Sequence, residues 1–200
     1  MIMADELFNF RKNALGGVLT SPLCEEYRKE WQLASKDKLA LITLAMRQQS
    51  CPYFAHHCYM GKGLSKEYIK REFADYINGY TIKDADDVIG YTYGLFVDYN
   101  YDNNLIVDKD VVHIMWTNCN VVIPETKCPV VYVSNNSNVT LSCDGFNSVK
   151  IYLFDNSRLV IDDVDKESDV TIYKYSDFCV IEKGRYCFGA VKEFKKELRL

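Results

Sequence analysis

The densest group of side chains that could bind a metal lies between residues 51 and 58. Cys51, His56, His57 and Cys58 carry the thiolate and imidazole groups that zinc prefers. Their spacing is poor for zinc, because structural sites pair ligands about two to four residues apart in two separate knuckles, and a second CxxC or HxxxH is missing. We therefore expect an aromatic loop between helices, with no metal and no other cofactor.

Nucleophilic catalysis by cysteine would need a histidine within hydrogen-bond reach of the thiol. Cys58 and His57 are adjacent in sequence, a spacing that rarely gives productive geometry, and nothing selects a cysteine partner for His113. Phosphate-binding glycine loops, dinucleotide fingerprints and nucleophile-elbow serines are also missing. The sequence therefore predicts a protein that is not an enzyme.

An acidic segment from Asp155 to Asp169 is the second group with chemical potential. Paired carboxylates such as Asp162, Asp163 and Asp165 can act as general acid and base on a sugar. Calcium is a poorer candidate, because the glycine and the terminal glutamate of an EF-hand loop are missing. We expect a solvated acidic loop. The alternative function is a carbohydrate-binding or carbohydrate-cleaving protein with these acids near a tyrosine face.

That tyrosine face would be formed by Tyr132, Tyr152 and Tyr173, which follow one another at nearly equal offsets along the chain. Tyr132 and Tyr152 lie between apolar neighbours and Tyr173 follows Ile172, so that each ring points to the other side of its strand. In a stacked sheet the three rings would form a ladder. Such a ladder could stabilise the sheet by contacts on one face, or it could be a binding surface, since tyrosine combines apolar area with a polar tip.

A repeat in the C-terminal half positions these tyrosines. Similar short segments begin at Asn118, Asn136, Asn156 and Ser176, at offsets of 18, 20 and 20 along the chain, with a looser copy at Asp102. Each is preceded by another alternating apolar segment, so that one unit is a strand, a turn, a strand and a loop. The expected stacked columns are Val121–Val139–Leu159–Cys179 and Ile123–Leu141–Ile161–Ile181.

Columns of this kind favour a β-solenoid, in which each unit is one coil and equivalent strands stack in parallel. An antiparallel β-meander or sandwich built from hairpins is the alternative. The predicted class is α+β, with a helical region over residues 1–85, a solenoid of about five rungs over 86–184, and a capping segment over 185–200. In that last segment, Val191 to Leu200 is expected to form a helix over the final rung.

Helical spacing of apolar residues defines the N-terminal region. A first helix is expected to begin at Ser21-Pro22, a second to cover Lys36 to Gln49, and a third to cover Lys66 to Ile77 after a Ser65 cap.

Charge and hydropathy restrict the partners. A net charge of -4 argues against a general nucleic-acid binder, and no apolar stretch approaches the ~20 residues of a membrane span. Met1 to Arg11 contains two acids and no apolar run of signal-peptide length, which predicts a cytoplasmic chain with reduced thiols. The oligomeric state stays open.

Three segments carry a family resemblance. Leu64 to Phe73 follows the pattern Leu-x-x-x-x-Ile-x-x-x-Phe, Tyr93 to Asp98 reads Tyr-Gly-Leu-Phe-Val-Asp, and Val149 to Leu159 is a typical repeat phrase. Over about residues 20–183 the chain resembles a group of uncharacterised prophage and mobile-element proteins of Bacteroides and related gut bacteria. The resemblance implies a context, the bacterial cytoplasm or a virion, and assigns no catalytic residue.

Together these patterns predict a non-enzymatic accessory factor of a phage or mobile element. It would bind another protein through its regular β-face, either to interfere with a host defence system or to serve in virion assembly.

Overall fold

A computed structural model describes residues 29–30, 33–34, 37–49, 65–84, 90–100 and 104–196. The chain divides into two compact units, Met1–Tyr76 and Ile77–Leu200, so the boundary falls earlier than residue 85. The expected helix start at Ser21-Pro22 and the group from Cys51 to Cys58 lie outside the described residues.

The first unit contains the helices α1 (Lys38–Gln49) and α2 (Lys66–Glu72). The side chain of Asp37 accepts hydrogen bonds from the backbone N–H groups of Leu39 and Ala40, which explains why α1 begins after it. Ser65 caps α2 as predicted, since its hydroxyl accepts from the Tyr68 N–H.

The helix α2 is shorter than predicted. Its cap residue Phe73 leaves the helical region with φ -122° and ψ 24°, and the chain continues as a 3-10 turn over Ala74–Tyr76. An ion pair of 3.4 Å between Lys38 Nζ and Glu72 Oε2 links the two helices. None of the described helices is long and apolar enough to cross a membrane.

The second unit is a stack of short strands. In chain order they are β1 (Ile82–Lys83), β2 (Thr92–Val97), β3 (Leu105–Ile106), β4 (Val111–Met115), β5 (Asn118–Ile123), β6 (Val130–Ser134), β7 (Asn138–Cys143), β8 (Ser148–Leu153), β9 (Arg158–Val164), β10 (Asp169–Lys174), β11 (Val180–Cys187) and β12 (Ala190–Lys195).

These strands form two sheets between which the chain alternates. Sheet A has the order β1-β2-β4-β6-β8-β10-β12, and sheet B has the order β11-β9-β7-β5-β3. All neighbours are parallel except β1 and β2. This confirms the β-solenoid of about five turns. The meander is wrong, because hairpins would pair consecutive strands antiparallel.

Side chains that point between the two sheets form the core. In sheet A the central inward column is Val112–Val131–Ile151–Ile172. In sheet B it is Val121–Leu141–Ile161. All of these residues are buried in one continuous apolar cluster. Each rung therefore packs on its copies above and below, which is why the same residue types recur.

The predicted columns are wrong by two residues at both ends of the repeat. Cys119 lies beside Val139, so the first offset is 20 and not 18. Leu159 lies beside Ile181 and not beside Cys179, because the corner before β11 is longer. A shift of two residues keeps every side chain on its own face of the strand, so apolar alternation cannot detect it.

Left-handed residues lie in the corners that follow β2, β4, β6 and β8 of sheet A, and in the corner after β4 this residue is Trp116, with φ 50°. In the other three corners, Asp98, Asn135, Asn136 and Asp155 have φ between 53° and 59°. Short polar side chains tolerate this conformation, which explains why asparagine and aspartate recur at the corners of the repeat.

The C-terminal segment differs from its prediction. Ala190–Lys195 forms the strand β12 beside β10, and residues 197–200 lie outside the described part. Val191 continues the inward column of Val149 and Val170, while Phe194 points outward beside Tyr173. This period of two holds the segment in the sheet, so the predicted helix is wrong.

Candidate functional site

An aromatic ladder runs across the outer face of sheet A. Tyr132, Tyr152 and Tyr173 occupy neighbouring positions on β6, β8 and β10. Their ring centroids are 4.9 and 5.0 Å apart, with planes inclined by 13° and 16°. The ladder predicted from the sequence is confirmed as a geometric feature.

The ladder has two further members, His113 and Phe194, that the sequence analysis did not predict. The His113 ring stacks on Tyr132 at 4.4 Å, and the Phe194 ring stacks on Tyr173 at 5.6 Å. Recurrence of a single residue type does not reveal these two rings, because neither is a tyrosine. The signal was the offset, because His113 and Phe194 continue the near-regular spacing of the tyrosines in the two directions along the chain.

A second aromatic column lies beside the first. Phe154 and Tyr175 follow directly after β8 and β10, and their rings stack with centroids 5.0 Å apart. Phe154 also lies 6.4 Å from the Tyr132 ring. The outer face of sheet A is thus aromatic over two adjacent columns.

Exposure rises along the ladder. His113 and Tyr132 are 0% and 2% exposed, although both side chains point away from the core between the sheets. Tyr152 and Tyr173 are half-buried, and Phe194 is 46% exposed. Burial lowers the pKa of His113 to about 3, so the imidazole is neutral at physiological pH. Only the last three strands of sheet A therefore present the ladder at the surface.

The stacking restricts what this surface can bind. A planar ligand inserted between two rings would need about 7 Å between them, since each contact takes about 3.5 Å. Neighbouring rings are at most 5.6 Å apart. Rings stacked on both sides, such as Tyr152 and Tyr173, therefore present their edges, and the ladder offers no slot for a sugar ring or a nucleobase between its members.

Lysines flank the exposed rings. Lys150 and Lys192 lie in one outward column, separated by Thr171. Lys196 places its Nζ 5.4 Å from the centroid of the Tyr173 ring. The acid on this side is Asp169, whose Oδ1 lies 3.8 Å from Lys192 Nζ. We call the exposed surface of Tyr152, Tyr173, Tyr175, Phe194, Lys150, Lys192 and Lys196 the ladder face.

The acidic patch is elsewhere. Asp162 and Asp163 lie on β9 of sheet B, and Asp165 lies in the turn after it. The core separates sheet B from the tyrosines, so the expected proximity of these acids to the tyrosine face is wrong. All three carboxylates are exposed, and Asp165 Oδ1 accepts the Glu167 N–H at 3.0 Å as a turn contact.

The buried thiols are poor nucleophiles. Burial raises the pKa of Cys119 and of Cys143 to about 12, and that of Cys179 to about 11. Within the described ranges, three or more His, Cys, Asp or Glu side chains never gather where they could hold a metal ion. Among the described residues, the candidate site is therefore the surface that carries the aromatic ladder.

Comparison with protein-family models, with curated proteins and with solved structures finds no match for this chain.

Proposed function

We propose that this chain is a non-enzymatic binding protein that docks an acidic segment of another protein on its ladder face. The observation that carries the proposal is the exposure of the aromatic rings of Tyr173 and Phe194 beside lysines on one sheet. Buried aromatic anchors contribute much of the affinity at protein interfaces, because they bury large apolar areas at low entropic cost.

Charge distribution supports an acidic partner. The chain has a net charge of -4, yet the ladder face carries Lys150, Lys192 and Lys196 against Asp169. Lysines at the rim steer an oppositely charged segment to the surface and disfavour basic partners. In a partner segment, the carboxylates would pair with the lysines of the ladder face, and the apolar side chains next to them would contact the aromatic rings.

A protein fits this surface better than a nucleic acid does. Single-stranded nucleic acids bind by stacking their bases on exposed aromatic faces. Here the faces of Tyr152 and Tyr173 are covered by neighbouring rings at 4.9 to 5.6 Å. The edges that remain suit the side chains of a peptide.

The biological setting of this proposal rests on the family resemblance alone. It would place the protein with a phage or mobile element, in the bacterial cytoplasm or a virion, as a factor against host defence or in assembly. The carbohydrate function has no structural observation in its favour, since Asp162 and Asp163 lie on the other sheet.

A peptide array tests the proposed specificity. The wild-type chain should prefer peptides with Asp or Glu beside apolar residues. The double variant Lys150→Glu/Lys192→Glu should shift that preference toward Lys and Arg peptides, because it reverses the charge of the rim. The matched control is Lys127→Glu/Lys166→Glu, which changes two exposed lysines outside the ladder face and should keep the wild-type pattern.

A second variant pair tests the aromatic part. Tyr173→Ser/Phe194→Ser should abolish binding to the best acidic peptide, while Val122→Ser/Val160→Ser on sheet B should leave it unchanged. An array pattern that is identical for the wild type and both ladder-face variants would refute the proposal.

A further inference from the structure

The two central inward columns of the solenoid end in charged residues. In sheet A the column Val112–Val131–Ile151–Ile172 is followed by Glu193. In sheet B the column Val121–Leu141–Ile161 is followed by Lys183. Every earlier member is apolar and buried, so the last rung breaks the rule that the preceding rungs keep.

The two charged residues meet across the space between the sheets. Lys183 Nζ lies 3.8 Å from Glu193 Oε1, and the side chains are 51% and 45% exposed. The neighbouring inward column also changes from an apolar to a charged residue, because Leu153 is followed by Lys174 and then by Lys195. Lys195 Nζ lies 2.8 Å from Asp177 Oδ1. The end of the core is therefore covered by ion pairs.

Half-exposed ion pairs of this kind contribute little to folding stability, because water screens both charges. Two apolar residues would pack better on Ile161 and Ile172. The stability of the single chain therefore gives little reason for charged residues at these two positions.

Among the described residues, two strands at this end of the stack have a neighbouring strand on one side only. In the described part of the chain, β11 is the last strand of sheet B and β12 is the last strand of sheet A. Strand edges of this kind are templates for pairing with another chain. A second copy of this protein has the same two edges at the same spacing, so two ends could pair strand to strand.

Pairing of two such ends would bury the charges. Lys183, Glu193 and Lys195 of both copies would move from a half-exposed setting into the joined core. Removing charged groups from water is costly unless new partners replace the solvent. Inward-pointing charges are a known protection of open sheet edges.

We infer that the Lys183–Glu193 pair keeps two copies from joining end to end through β11 and β12. The terminal edges are a self-association surface for a second copy, and the charges hold that surface closed. This device is independent of the ladder face, which lies on the outer side of sheet A.

The double variant Lys183→Leu/Glu193→Ile tests the inference, because it restores both apolar columns. Light scattering should show the mass doubling from 23.2 kDa, or increasing further. Hydrogen exchange of the amides in Val180–Cys187 and Ala190–Lys195 should slow at the same time, since those edges become paired. The charge-swapped variant Lys183→Glu/Glu193→Lys should keep the wild-type mass.

A matched control separates the position of the charges from apolarity in general. Arg185→Leu/Lys192→Leu removes one exposed charge from each of the same two strands. It should stay at the wild-type mass. Equal association of this control and of the double variant would overturn the inference.

Two other results would also overturn it. One is a folded double variant with unchanged mass. The other is an associated double variant whose β11 and β12 amides exchange as fast as before. If the double variant does not fold, the single variant Glu193→Gln tests the inference instead. It removes one charge of the pair and keeps the shape of the side chain. It should associate at a lower concentration than the wild type does, and unchanged association would refute the inference.

Discussion

The His113 ring lies parallel to the Tyr132 ring, with centroids 4.4 Å apart and planes inclined by 4°. Both rings are buried on the outer side of sheet A, where a charged imidazolium would be poorly solvated. Burial on this face therefore keeps the His113 side chain neutral at physiological pH, because it lowers the pKa of the imidazole to about 3.

Acid should destabilise the protein through His113. Its pKa is about 3 in the folded chain and about 6.5 in an unfolded one, because burial disfavours the charged form. Above pH ~6.5 the His113 protonation does not reduce the free energy of unfolding. Below it, the free energy of unfolding falls by about 1.4 kcal/mol for each pH unit, because only the unfolded chain takes up the proton. Urea unfolding between about pH 7.5 and 5, above most carboxyl titrations, measures this slope.

The variant His113→Phe supplies the control for that measurement. It retains an aromatic ring on Tyr132 and removes the titration, while His56 and His57 are the same in both proteins. The free energy of unfolding of the variant should change less with pH. Parallel curves for the two proteins would show that His113 does not titrate as its burial implies.

Tyr132 and Tyr173 should differ in their contribution to stability. Tyr132→Ala should lower the free energy of unfolding by about 3–5 kcal/mol, as for other buried aromatic residues. Tyr173→Ala should cost roughly half as much, because that ring is half-buried. Chemical denaturation of both variants checks the order, and equal losses would contradict the graded burial of the ladder.

Gly189 is required by space and not by backbone conformation. A Cβ there would lie 2.5 Å from the Asp165 carbonyl oxygen and 2.6 Å from that of Ser168. Gly189→Ala should therefore destabilise the chain by about 2 kcal/mol through overpacking of the corner before β12.

Gly90→Ala is the comparison for Gly189. The backbone of Gly90 has φ +72°, but a Cβ there meets nothing within 4 Å. Gly90→Ala should therefore lower the free energy of unfolding by about 1 kcal/mol through conformational strain. A larger loss at Gly90 than at Gly189 would show that the corner before β12 relaxes easily.

Thiol labelling of the folded protein should separate the cysteines by burial. Cys128 is exposed and should react quickly with a maleimide, whereas Cys119, Cys143 and Cys179 should react only after unfolding. Peptide mapping by mass spectrometry assigns each modified residue. Rapid labelling of Cys143 in the native state would indicate that the rung of β7 opens locally.

The sequence was sufficient for the architecture, because a solenoid repeats its signal in every rung. The recurrence of Tyr132, Tyr152 and Tyr173 at nearly equal offsets reports strand neighbours directly, since each ring has to meet its copy. A helix cap was also readable, because the role of Ser65 depends only on the next three residues.

Features that depend on the length of a corner were not readable. Val121 and Cys119 are both small apolar residues on the same face of β5, so the choice between them as neighbour of Val139 required the structure. The separation of Asp162 from Tyr173 was hidden for a related reason. Spacing along the chain predicts strands, but the order in which strands alternate between two sheets decides which side chains share a surface.

Parallel stacking also determines how the second unit would yield to mechanical load. Its inter-strand hydrogen bonds run from rung to rung, so tension applied at the C-terminus would load the bonds of β12 to β10 before any others. The strands would then detach one at a time, as in a zipper, and each detached rung would release roughly 20 residues of slack, ~70 Å when extended. Extension of this protein should therefore be gradual, with a sequence of small force peaks instead of one large rupture.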